Sequence, residues 1–98
     1  MVFVKALQEV EDYKEAIRIS CHILQENGVV EERYYESILN NIEVYGGYFY
    51  LGKGICMPHA RVEEGAVKAG ICVLSLKYPV SFYGNEVRIF LTLSAGNE

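Results

Sequence analysis

The sequence is short of basic residues. Nine lysines and arginines stand against 13 acidic residues, a formal net charge of −4. Binding along a phosphate backbone needs clustered Lys and Arg, and the nine are scattered. A nucleic-acid surface is therefore excluded as the main partner. Long apolar runs are also missing: none approaches the ~20 residues of a membrane span. The N-terminus, MVFVKALQEVEDYKEAIRIS, turns charged by Lys5 and does not read as a signal peptide. The expectation is a soluble, cytoplasmic protein. The three cysteines, Cys21, Cys56 and Cys72, are odd in number and widely spaced, which is no disulfide framework. Each lies in an apolar stretch, the setting of a buried, reduced thiol. There is no CxxC or HExxH, no repeat, no linker and no low-complexity tract.

What is present is enough for one core. The chain is 51% apolar and 98 residues long, which suits one compact domain over 1–98. Residues 11–27 carry Tyr13, Ala16, Ile17, Ser20, Ile23 and Leu24 on one helical face. Acidic residues open the segment and Gly28 closes it. A second helix is predicted over 31–44, with an apolar stripe of Tyr34, Tyr35, Ile38, Leu39 and Ile42 and a stop at Gly46-Gly47. The pattern then changes. YFYL at 48–51 and GICM at 54–57 are short and extended. GICVLSLKYP at 70–79 is the clearest strand, its Ile71–Leu76 core nearly continuous in apolar residues and so expected to be buried on both faces. VRIFLTLS at 87–94 alternates: Val87, Ile89, Leu91 and Leu93 on one face, Arg88, Phe90, Thr92 and Ser94 on the other. SFYGNE at 81–86 is the turn between them, with Gly84-Asn85 at its apex. Two helices before a run of strands give an α/β or α+β domain. Helices are expected on both faces of such a sheet, yet only two are visible.

The chemistry centres on LGKGICMPHAR, residues 51–61. A neutral imidazole is the best nitrogen nucleophile near pH 7, and His59 follows a stiffening Pro58. Gly52 and Gly54 permit close approach of backbone N–H groups to a ligand. Arg61 is two residues on; if the segment is extended, it points to the same side as His59 and is suited to a phosphoryl group. The alternative is a structural histidine in a surface loop. Cys21, His22, Cys56 and His59 are metal-ligand types, but their spacing is poor: adjacent side chains on a helix diverge by ~100°. Glu63-Glu64 reads as a solvated turn with Gly65.

LGKGICMPHARVEEGAVKAGICVLSLKYPVSF resembles the active-site region of enzyme IIA domains of the bacterial phosphoenolpyruvate-dependent sugar phosphotransferase system, mannitol/fructose type. The matching pieces are Gly54-Ile55-Cys56-Met57-Pro58-His59-Ala60-Arg61, then Gly65-Ala66-Val67 and Gly70, then Tyr78-Pro79-Val80-Ser81-Phe82. The Tyr45–Tyr48 region is closest to ascorbate-type members. The resemblance implies a three-layer fold with a mixed β-sheet flanked by helices. His59 would be the phosphorylated histidine, taking a phosphoryl group from the phosphocarrier HPr and passing it to a cysteine of a IIB domain. A membrane IIC component would couple this to sugar uptake. Glu43 is matched to the family's site glutamate; Gly54, Pro58 and Arg61 would support the phosphoryl site. No cofactor or metal is implied, and a homo-oligomer stays open. A regulatory interaction module of the same family, or an inactive structural fragment, are the alternatives. Family domains run half again as long, with further helices and a second histidine just after an Asn-Glu matched here by Asn97-Glu98. The chain therefore reads as a partial, C-terminally truncated domain.

Overall fold

A computed structural model describes residues 1–96; Asn97-Glu98, where the family comparison placed the approach to a second histidine, lie outside the described residues. The order is β1 (Val2–Leu7), α1 (Tyr13–Glu26), α2 (Tyr34–Tyr45), β2 (Tyr50–Gly52), β3 (Ile55–Cys56), a 3₁₀ turn at Val62–Glu64, β4 (Ala69–Phe82) and β5 (Asn85–Ala95).

The helices begin and end for local reasons. Asp12 caps α1 by accepting the Glu15 N–H at 2.9 Å, and Glu15 returns a carboxylate to the Glu11 N–H at 2.7 Å. Gly28, at φ 72°, lets the chain leave. α2 starts three residues later than the sequence pattern suggests. The Tyr34 N–H bonds the Glu31 carbonyl, so 31–33 form the turn that leads into the helix. Its buried stripe is Tyr34, Ile38 and Ile42, one residue per turn.

The sheet order is β1-β4-β5-β3-β2. β1 runs parallel to β4, β4 antiparallel to β5, and β3 parallel to β5. β1 is an addition to the sequence reading. The β4–β5 turn is tighter than expected and sits at Tyr83-Gly84, not Gly84-Asn85. Both residues have positive φ, 48° and 81°, the geometry that matches the right-handed twist of a hairpin.

One core joins α1 and α2 to one face of the sheet through Cys72, Leu74, Leu76, Phe90 and Cys56. The expected burial of β4 on both faces is corrected here. Ile71 and Val73 are only half-buried, because both helices lie on the opposite face. On β5 Val87 is buried near the hairpin, and beyond it the buried set is Phe90, Thr92 and Ser94, while Ile89, Leu91 and Leu93 are half-exposed. Among the described residues no helix is long and apolar enough to cross a membrane.

Candidate functional site

The site grows out of β3. Its parallel register on β5 runs Ile55↔Ile89 and Cys56↔Phe90, and the same register reappears at an isolated bridge, His59↔Leu93. The segment after β3 is therefore extended. Alternation buries Cys56, Pro58 and Ala60 and leaves His59 half-buried. The Pro58 carbonyl accepts the Leu93 N–H at 2.9 Å, which ties the peptide before His59 to the sheet.

The imidazole is held on two sides. Nδ1 lies 2.9 Å from the Met57 carbonyl oxygen. A carbonyl only accepts, so in the neutral ring Nδ1 carries the proton and the lone pair is on Nε2. The buried Phe49 ring packs 5.0 Å from the imidazole centroid, and Tyr48 lies 6.3 Å away. Phe49 is itself fixed, since its carbonyl accepts the Met57 N–H at 2.9 Å.

His59 opens into a cleft of about 260 Å³ lined by Asn41, Tyr45, Tyr48, Ala60, Arg61 and Glu64. The following loop is strapped to α2. Arg33 Nη1 donates to the Glu63 carbonyl at 2.9 Å, and Ser37 Oγ to the Glu64 carbonyl at 2.8 Å. Asn41 Nδ2 donates to the Glu64 carboxylate at 3.3 Å. Positions 33, 37 and 41 are spaced by four, so one polar stripe of α2 holds the loop beside the apolar stripe that enters the core. Glu64 Oε1 also accepts the Arg61 N–H at 3.0 Å and Arg61 Nε at 3.3 Å. The Arg61 N–H bond, then the Asn41 and Arg61 side chains, hold the Glu64 carboxyl below the usual carboxylate value against a smaller opposing effect of burial. Glu64 is thus more than part of a solvated turn.

His59 and Arg61 share this cleft; other candidates do not. Gly54 lies in the β2–β3 turn at φ 78°. Its N–H is bonded by the Tyr50 hydroxyl at 3.1 Å and its carbonyl by the Arg88 and Ile89 N–H groups, so it shapes the sheet and lends no donor to the cleft. Pro58 is buried behind His59. Glu43 lines a different cavity, of about 440 Å³, with Tyr13, Lys14, Glu36, Asn40 and Tyr83. Two residues past Asn41 on a helix is ~200° of rotation, which carries it to the far side of α2. Cys56 is fully buried and its thiol is pushed up to about 12 by burial, which removes it as a partner nucleophile for His59. Among the described residues no three His, Cys, Asp or Glu side chains gather as metal ligands. Sequence reading missed Tyr34, Ser37 and Asn41 as site residues.

Residues 2–98 match the family described as the phosphoenolpyruvate-dependent sugar phosphotransferase system, EIIA 2. The chain belongs to this family. The ascorbate-specific PTS system EIIA component of Escherichia coli K12 is 38% identical over 95 residues, 94% of this chain and 62% of that protein. The chain thus spans about 62% of the length of the curated relatives it matches. A protein assigned as a PTS IIA (PtxA) of Streptococcus mutans superposes with a TM-score of 0.89 at 37% identity, covering 95% of this chain and 60% of that one. The Escherichia coli mannitol enzyme IIA, solved in complex with phosphorylated enzyme IIB, gives 0.82 at 24% identity over 99% of this chain and 68% of that one, a likeness of fold.

Proposed function

We propose that this enzyme IIA chain is a phosphocarrier and that His59 Nε2 takes the phosphoryl group. The observation that carries the reading is the Nδ1 contact to the Met57 carbonyl, which leaves Nε2 as the lone-pair nitrogen beside the Arg61 cleft. The donor is HPr. As the Nε2–P bond forms, the bond from phosphorus to the donor breaks, and no proton need move. The proton stays on Nδ1, donated to the Met57 carbonyl, so the phosphorylated ring carries a positive charge that this oxygen stabilises. That charge keeps the nitrogen a good leaving group for the next transfer, to a IIB cysteine thiolate, where an S–P bond forms as Nε2–P breaks. Arg61 is the cation suited to the transferring oxygens. It is now engaged by Glu64 Oε1 and lies 4.0 Å from Glu63 Oε2, so it must exchange carboxylate for phosphoryl oxygen as the group arrives.

The exposed rings of Tyr45 and Tyr48 rim the same cleft and are suited to contact with the partner proteins. The IIB step is supported by the family and by the mannitol relative being solved with its IIB. Coupling through a IIC component to sugar uptake, in a system of the ascorbate type, is supported by the 38% identity to the ascorbate-specific relative. The test is nitrogen–phosphorus coupling in labelled protein after incubation with phosphoenolpyruvate, enzyme I and HPr. The expected adduct is on Nε2, labile in acid and stable in alkali. A phosphoryl group on Nδ1, or on a hydroxyl, contradicts the reading.

A further inference from the structure

The parallel register of β3 on β5 calls for two hydrogen bonds around His59↔Leu93. One is made: the Leu93 N–H to the Pro58 carbonyl, 2.9 Å. Its complement in a parallel ladder would run from the Ala60 N–H to the Leu93 carbonyl. The Tyr34 hydroxyl bridges the two ends of that rung. It accepts the Ala60 N–H at 2.9 Å and donates to the Leu93 carbonyl at 2.6 Å, with the Ala60 carbonyl at 3.2 Å as its alternative acceptor. Tyr34 is fully buried, and burial pushes its hydroxyl up to about 12, so it keeps its proton at working pH.

We infer that Tyr34 is a positioning residue for phosphoryl transfer: its hydroxyl bridges the last rung of the β3–β5 ladder and so fixes the peptide that leaves His59. The inference rests on the carrier reading of His59. The hydroxyl bonds both the Ala60 N–H and the Leu93 carbonyl, so it ties the chain after His59 to the end of β5. The peptide before His59 is fixed by Leu93 and the peptide after it by Tyr34. Between two fixed peptides the imidazole keeps its Nδ1 on Met57 and its Nε2 as the nucleophile. Tyr34 also belongs to the apolar stripe of α2, so the packing of that helix sets the height of the hydroxyl. Misplacement of a reacting atom by about 1 Å costs on the order of a hundredfold in rate.

The experiment compares Tyr34→Phe with Tyr35→Phe, the neighbouring half-buried tyrosine, in two readouts. The first is the pair of imidazole nitrogen shifts of His59, with the exposed His22 as internal reference. In the parent, His59 should show one protonated and one lone-pair nitrogen, and in Tyr34→Phe these should move toward averaged values. The second is phosphoryl acceptance, where kcat should fall about tenfold or more with KM for HPr unchanged. Tyr35→Phe should change neither. Folded Tyr34→Phe with parent nitrogen shifts overturns the inference. A parent that accepts no phosphoryl group overturns the carrier reading instead, and the nitrogen shifts still decide the role of Tyr34. If Tyr34→Phe does not fold, 3-fluorotyrosine at position 34 takes its place. Acidifying the hydroxyl should then move the His59 shifts, and unmoved shifts overturn the inference.

Discussion

Arg61 and Glu64 are the residues on which the balance of the cleft turns. Arg61 is an exposed side chain whose neighbours are two carboxylates. Removing it takes away a phosphoryl partner but little packing. Arg61→Ala should therefore slow acceptance by roughly tenfold, a lost charge-assisted contact in the transition state, and leave thermal unfolding within a degree or two. Stopped acceptance kinetics and a melting curve check both halves. Glu64 is the opposite case. Its folded-state carboxyl lies below its ordinary 4.5, so the stability it contributes is present above that value and lost as pH falls through the lower, folded one. Melting temperature against pH should drop in that acidic window for the parent and less steeply for Glu64→Gln. Equal slopes would mean that the carboxylate's bonds to Arg61 and Asn41 do not hold the loop.

At the scale of elements, α2 does two jobs with adjacent stripes: Tyr34, Ile38 and Ile42 enter the core, and Arg33, Ser37 and Asn41 hold the loop after His59. Ser37→Ala with Asn41→Ala should leave helix content unchanged and speed amide exchange at 62–66, because only the strap is cut. The apolar stripe was legible in the sequence through its period, and so was His59 with Arg61, through their place beside Pro58. The polar stripe was not. Its bonds reach from 23 to 30 residues along the chain, to backbone and carboxylate oxygens of a loop, and leave no periodic trace. β1 was missed for a related reason. As an edge strand it leaves Val2, Val4, Lys5 and Ala6 exposed, so its segment shows no clean alternation between a buried and a solvent face. β4 runs three residues past the 79 read from the sequence, to Phe82. A register irregularity between Ser75 and Val80 takes up the proline, and pairing resumes at Val80↔Val87. Glu43 came from analogy of sequence position, which carries no information about which side of α2 a residue occupies; in the structure it lines a different cavity from His59.

For the whole molecule, the dominant fact is asymmetry. The helices cover one face of the sheet; on the other, Val2 and Val4 are 67% and 74% exposed and Ile71, Val73, Leu91 and Leu93 are half-buried. Such a contiguous apolar face should bind a hydrophobic dye. Val2→Thr with Val4→Thr, which keeps strand propensity, should lower the dye signal and leave His59 chemistry intact. The candidate site at His59 lies at the end of the β3–β5 ladder, held by the covered side through Tyr34 and α2. The most direct measurement is intact mass at neutral pH after incubation with phosphoenolpyruvate, enzyme I and HPr, with the parent beside His59→Ala. The account predicts one added phosphoryl group on the parent and none on a folded His59→Ala; a folded parent that gains nothing, or a variant that gains as much, would contradict it.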